Sequence, residues 1–169
     1  MPFMREFQGI ADVVDQALAD PRRVTHQVGR EGDGIDLEGQ PFVADAVTED
    51  LQKVRVRLPS TELFASGRAE LNQSFTAPLA CIGQALDREP GRVLVVGHTD
   101  SVPIRSARFA SNWDLSRARA RSVETILAQT ISDGGRLTGE GRADTEPLAS
   151  NQDEDGRARN RRVEILLLK

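Results

Sequence analysis

A run of four apolar residues, VLVV at 93–96, limits what this chain can fold into more than any other stretch. It ends at Gly97, and such a continuous run is typical of a strand that is covered on both faces in the middle of a sheet. The polar residues His98, Thr99 and Asp100 follow it directly. The sequence therefore predicts a central strand that delivers an aspartate to one edge of the sheet.

The segments around this strand alternate between strand and helix patterns. KVRVRLP at 53–59 alternates apolar and basic residues, which predicts a half-exposed strand. Apolar residues at 75, 79, 82 and 86 predict one helix, and SNWDLSRARARSVETILAQT predicts a longer one capped by Ser111 with Asp114. STELFASGRAELN and DTEPLASNQDEDG predict loops, RLTGEGRA predicts a short strand, and ARNRRVEILLL predicts a short turn followed by a last strand. This order predicts an α/β (α+β) fold: a two-layer sandwich in which helices pack on one face of a mixed four-stranded sheet.

Residues 1–50 are predicted to be an N-terminal helix and linker appended to a main domain at residues 51–169. The apolar residues of segment 3–18 have the spacing of an amphipathic helix, and the glycine- and acid-rich segment 28–41 is typical of a linker. The apolar stripe of that helix must be covered. Packing on the domain, formation of a homodimer and a membrane-proximal linker all remain open.

Composition narrows the class of protein. A net charge of −4, an aromatic content of 4% and the absence of tyrosine argue against a nucleic-acid-binding protein. No apolar run approaches the ~18 residues of a membrane span, so the chain as given is predicted to be soluble, with any anchor outside it. His26 and His98 are the only histidines, so no zinc site, cofactor or catalytic set is expected. His98 is predicted to hold its loop by hydrogen bonding, and the protein is predicted not to be an enzyme.

One arginine of the long helix is predicted to lie on its sheet-facing side. Asn112, Arg119 and Ile126 fall on one line because positions seven apart nearly superimpose on a helix. A buried arginine needs a partner, and Asp100 at the strand end is the natural candidate. Two interpretations stay open: a structural ion pair, or a split site in which Asp100 binds an ammonium and Arg119 a carboxylate of one zwitterionic ligand.

Four motifs resemble those of the OmpA-like peptidoglycan-binding domain (OmpA/MotB) over roughly residues 53–168: GHTDSVP, SNWDLSRARARSV, GEGRADTEPLASN and GRARNRRVEI. The resemblance implies non-catalytic binding of peptidoglycan through the meso-diaminopimelate of its stem peptide. By motif position, the residues that it implies for this ligand are Asp100, Arg119, Asn112, Arg161, Thr99, Ser66 and Ala65.

Two departures from the family pattern concern the loop after Asp100. Pro103 stands where many members have glycine, and the loop from Asp100 to Asn112 is longer than in the simplest members. We expect the longer loop either to cap the ligand site or to serve a protein partner. Within the family, the motifs most resemble the C-terminal periplasmic extension of the type VI secretion protein TssL. That resemblance implies a periplasmic domain, tethered to the inner membrane by a segment absent from this chain, that anchors a secretion complex and contacts its other envelope subunits. A flagellar stator anchor of the MotB type, or an assembly domain without wall binding, are the alternatives.

Overall fold

The computed structural model describes residues 47–50 and 53–168. The helix predicted at 3–18 and the linker predicted at 28–41 lie outside the described residues, and the domain boundary after residue 50 stays a prediction. In chain order the strands are β1 (Val47–Asp50), β2 (Lys53–Pro59), β3 (Arg92–Gly97), β4 (Leu137–Gly141) and β5 (Arg162–Leu168). The α-helices are α1 (Ser60–Leu63), α2 (Thr76–Asp87), α3 (Asn112–Leu127) and α4 (Glu154–Asn160).

The strands form one mixed sheet in the order β1-β2-β5-β3-β4. β3 and β4 run parallel, and the other neighbours are antiparallel. The last strand of the chain therefore lies between β2 and β3, with Gly97 of β3 paired with Val163 of β5. This insertion places the residues just before β5 beside those just after β3.

The helices α2 and α3 cover one face of the sheet. Leu79, Ile82 and Leu86 of α2 are buried in the positions predicted from their spacing, and Phe75 packs against them. They meet Val123 and other apolar residues of α3 and the inward side chains of β2, β3 and β5. The predicted two-layer α/β sandwich with a mixed sheet is confirmed.

Three short elements were not predicted, and one of them, α1, lies in a segment that was predicted as a loop. The edge strand β1 adds a fifth strand to the predicted four, and its four residues, VTED, carry too little apolar pattern to indicate a strand. Helix α4 occupies a segment predicted as a loop and turn because Gly156 lowers its helical propensity. The signals that favour α4 are the Asp153 N-cap, which accepts from Gly156 N–H at 2.6 Å, and acidic residues in its first turn.

In the part of the chain that the structure describes, no helix combines the length and the apolar character needed to cross a bilayer.

Candidate functional site

The end of β3 is fixed on both sides, and this fixes the direction of Asp100. His98 N–H donates to Arg162 O at 2.8 Å, and Thr99 N–H donates to Ala143 O at 2.8 Å. On the helix side, a Cβ on Gly97 would lie 2.1 Å from a backbone oxygen of α3. A side chain at position 97 would clash with α3, so the glycine allows the strand end to pack directly against the first half of that helix.

Arg119 is buried on the sheet-facing side of α3, as its helical phase predicts. Its residue exposure is 5%, its Nε donates to Arg68 O at 2.9 Å, and its Cζ lies 5.2 Å from the centre of the Phe64 ring. Its two terminal amino groups make no hydrogen bond or ion pair with any residue that the structure describes. Burial, reinforced by repulsion from Arg161 and opposed by Asp100, lowers the pKa of Arg119 to about 10. A buried, incompletely paired guanidinium is thus available to an anion.

Asp100 pairs with a different arginine. Its Oδ2 accepts from Arg161 Nη1 at 2.7 Å, and its Oδ1 accepts from Val102 N–H at 3.0 Å. The register explains this, because the pairing of Gly97 with Val163 sets Arg161 next to the residues that follow β3. The direct Asp100–Arg119 pair suggested by the sequence is not formed, so the structural ion-pair interpretation is wrong for these two residues.

Arg161 is held between two carboxylates. Its Nη2 donates to Glu154 Oε1 at 2.6 Å while Nη1 binds Asp100. Burial alone would lower the pKa of Arg161, but the hydrogen bonds and attraction of Asp100 and Glu154 raise it. Hydrogen bonds from Arg161 and from Arg157 lower the pKa of the Glu154 carboxyl. The result is a charged rim that α4 contributes to the site.

A cleft of about 520 Å³ opens between these groups. Six of the seven residues predicted for the site line it: Asp100, Arg119, Asn112, Arg161, Thr99 and Ser66. Ala65 instead lines an adjacent depression of about 440 Å³. A carboxylate and an open guanidinium therefore border one space, as the split-site interpretation requires.

The amide of Asn112 is used to shape the wall of the cleft. Its Oδ1 accepts from Ile104 N–H at 3.1 Å, and its Nδ2 donates to Asp100 O at 3.2 Å and Val102 O at 3.0 Å. Pro103 lies in the same wall, and Arg108 further along the loop pairs with Glu70. The longer loop thus forms a side of the cleft.

His98 does not act as predicted. It is 1% exposed, and neither ring nitrogen has a hydrogen-bond partner among the described residues, so the prediction that its side chain holds the loop by hydrogen bonding is wrong. Burial, with repulsion from Arg162 outweighing the attraction of Glu164, lowers the pKa of His98 to about 4. The ring is therefore neutral at pH 7 and packs as part of the core. No cluster of three or more His, Cys, Asp or Glu side chains suited to a metal ion occurs within 47–50 and 53–168.

Sequence reasoning missed several residues that build the site. Phe64 supports Arg119, and Glu154 holds Arg161. Asn160 is fully buried, and its Oδ1 accepts from Leu148 and Ala149 N–H at 2.8 and 3.0 Å, which fixes the loop before α4. The acidic turn before the RARNRR run was the signal for Glu154, whereas Phe64 and Asn160 act through contacts distant in sequence.

Comparison with known proteins places the chain in a family. The OmpA family profile matches residues 63–161. The structure is similar to the cell wall anchor of the T6SS (the type VI secretion system) from Pseudomonas aeruginosa, at 47% identity and a TM-score of 0.69 over 73% of this chain and 86% of that one. It is also similar to the periplasmic domain of Helicobacter pylori MotB, at 28% identity and a TM-score of 0.66 over 73% and 80% of the two chains.

A curated relative agrees with these structures. Motility protein B of Bacillus subtilis (strain 168) is 35% identical over 115 residues, which are 67% of this chain and 44% of that protein. The chain thus spans about half the length of the curated relatives it matches. The predicted OmpA-like resemblance is confirmed: this chain belongs to the OmpA family.

Proposed function

We propose that this domain binds peptidoglycan without catalysis, through the meso-diaminopimelate of the stem peptide, and that it anchors a type VI secretion complex to the cell wall. In this proposal the domain lies in the periplasm, and a segment outside this chain, of the TssL kind, tethers it to the inner membrane. Its partners are the wall peptide and the other envelope subunits of the complex.

The observation that carries the proposal is the open guanidinium of Arg119 facing the same cleft as Asp100. The free end of diaminopimelate carries an ammonium and a carboxylate on one carbon. A guanidinium offers the carboxylate two parallel N–H groups, which here have no other partner in the described chain. The Asp100 carboxylate accepts two hydrogen bonds from the protein and has lone pairs for about two more, which can accept from the ligand ammonium.

The proposed role in type VI secretion rests on the similarity of this chain to a protein of known structure. The T6SS cell wall anchor is 47% identical to this chain, and MotB domains match at lower identity. A flagellar stator anchor is the second candidate, favoured by the match to motility protein B. Both candidates use the same wall ligand, so deletion of the gene distinguishes them: loss of contact-dependent killing supports the first, and loss of swimming supports the second.

The wall-binding proposal is tested by co-sedimentation of the purified domain with insoluble peptidoglycan. The wild-type domain is expected in the pellet, and Arg119→Leu and Asp100→Asn in the supernatant. Arg121→Leu is the matched control, because Arg121 is exposed and lies on the same helix. Circular dichroism verifies that each variant is folded.

Wild-type protein that stays in the supernatant would contradict wall binding and favour the assembly-only alternative. Full pelleting of both folded site variants would show that binding does not use this cleft. Release of soluble wall fragments by the wild type would contradict the non-catalytic assignment.

A further inference from the structure

Two residues that line the cleft, Ser60 and Thr99, carry buried hydroxyl groups without a hydrogen-bond partner among the described residues. Ser60 is 1% exposed and Thr99 is 4% exposed, and neither Ser60 Oγ nor Thr99 Oγ1 is bonded to any described residue. Both residues line the cleft that holds Asp100 and Arg119. Buried hydroxyls are normally bonded, so two orphans in one binding cleft indicate groups that a ligand satisfies.

The backbone around both residues is fixed, so the hydroxyls are not free to turn to other partners by moving the chain. Ser60 N–H donates to Arg161 O at 2.9 Å, which attaches the first residue of α1 to the residue whose side chain binds Asp100. Thr99 N–H donates to Ala143 O at 2.8 Å, and Thr99 directly precedes Asp100. The backbone of both residues is therefore fixed on the Asp100 side of the site.

The chemistry of an ammonium explains why Asp100 alone is not sufficient. A primary ammonium has three N–H donors and no acceptor. Asp100 is already shared with Arg161 and Val102 N–H. A ligand ammonium at this place needs further acceptors, and a hydroxyl oxygen supplies one without adding charge.

We propose that Ser60 Oγ and Thr99 Oγ1 accept hydrogen bonds from the ligand ammonium and, with Asp100, complete its three-acceptor subsite. This inference rests on the proposed binding of diaminopimelate and adds Ser60 as a recognition residue. The subsite selects a primary ammonium, so an amine consumed in an amide bond is rejected.

Isothermal titration calorimetry with a diaminopimelate-containing stem tripeptide tests the assignment. Ser60→Ala and Thr99→Val are each expected to weaken binding about tenfold, the usual effect of losing a hydrogen bond to a charged group. In urea unfolding the same variants are expected to be as stable as the wild type or more stable, because an unsatisfied buried hydroxyl has been removed.

Thr130→Val is the matched control. Its hydroxyl donates to Leu127 O at 3.0 Å near the end of α3 and does not line the cleft. This variant is expected to lose stability and to keep its affinity, which is the opposite pattern.

A second ligand identifies which end of the zwitterion the hydroxyls contact. The same tripeptide with that amino group deleted keeps the carboxylate for Arg119. Ser60→Ala is expected to cause no further loss with this peptide. A penalty that persists would assign the hydroxyl to the carboxylate and overturn the ammonium subsite.

The outcomes separate the two proposals. Unchanged affinity of Ser60→Ala and Thr99→Val, while Arg119→Leu abolishes binding, overturns the hydroxyl subsite and leaves wall binding intact. A loss of stability in Ser60→Ala or Thr99→Val, like that expected of Thr130→Val, would also overturn the hydroxyl subsite and leave wall binding intact. Absence of wild-type binding to the tripeptide overturns both proposals.

Discussion

Replacement of Arg119 by leucine is expected to separate ligand binding from stability. The folded domain holds this guanidinium at 5% exposure with one hydrogen bond, to Arg68 O, and a contact with the Phe64 ring. Burial lowers its pKa to about 10, well below the usual value of an arginine, which means that the folded protein disfavours the charge by about 3 kcal/mol. Since the lowered value is still far above 7, Arg119 is charged in the folded and unfolded states at neutral pH, and this cost is present throughout that range.

The favourable interactions that Arg119→Leu removes are similar in size to the cost of burying the charge. A hydrogen bond from a charged donor contributes about 1.5–3 kcal/mol, and a cation–π contact about 0.5–2 kcal/mol. Relief of the buried charge offsets them, as in other proteins where apolar residues replace buried charges. We expect the free energy of unfolding of Arg119→Leu to stay within about 1.5 kcal/mol of the wild type.

Binding is expected to respond very differently. The variant loses two charge-assisted hydrogen bonds to the ligand carboxylate, which together contribute at least about 3 kcal/mol, or about 100-fold in affinity. Calorimetric titration with the stem tripeptide and urea unfolding at neutral pH measure the two quantities on the same samples. A variant that unfolds readily but retains affinity would refute the reasoning, because Arg119 would then be a structural residue.

Three further perturbations test other parts of the site. Glu154→Gln is expected to weaken tripeptide binding about threefold in calorimetry. Without its ion pair to Glu154, Arg161 interacts more strongly with Asp100 and so competes with the ligand ammonium for that carboxylate. Gly97→Ala should lower the free energy of unfolding by more than about 2 kcal/mol in urea, since its Cβ meets helix backbone, whereas Gly134→Ala, with open space around it, should be neutral. As pH falls from 6.5 to about 4, the free energy of unfolding of the wild type should decrease by up to about 3 kcal/mol relative to that of His98→Leu, measured by urea unfolding at each pH. The reason is that His98 is protonated in the unfolded state over this range, while the buried ring of the folded state stays neutral.

The parts of the site that the sequence predicts are those that depend on local periodicity. The continuous run 93–96 indicates a central strand, so Asp100 is expected at its edge, where the structure has it. The helical phase of Arg119 likewise follows from its spacing to apolar neighbours, and the Ser111 cap is confirmed by its bond from Asp114 N–H. Each of these inferences needs only the geometry of one element.

The pairing of Asp100 could not be derived in this way. Its ionic partner Arg161 is 61 residues away in the chain and comes close only because β5 inserts between β2 and β3. The position of Arg161 in the site was available from family resemblance, but its bond to Asp100 depends on sheet order and register. Ser60 was missed for a similar reason: α1 is one turn long, and the backbone N–H of Ser60 bonds to Arg161 O, which is distant in the chain.

The two charged groups of the cleft, Asp100 and Arg119, differ in how far the protein already pairs them. Asp100 is neutralised by Arg161 in the free protein, whereas the terminal groups of Arg119 have no partner in the described chain. An incoming ammonium must share a carboxylate, so its net gain is reduced, while an incoming carboxylate forms bonds that replace nothing except water. Most of the affinity should therefore come from the ligand carboxylate at Arg119. Because lysine in a stem peptide keeps the ammonium and lacks this carboxylate, the proposed selectivity for diaminopimelate over lysine resides in Arg119.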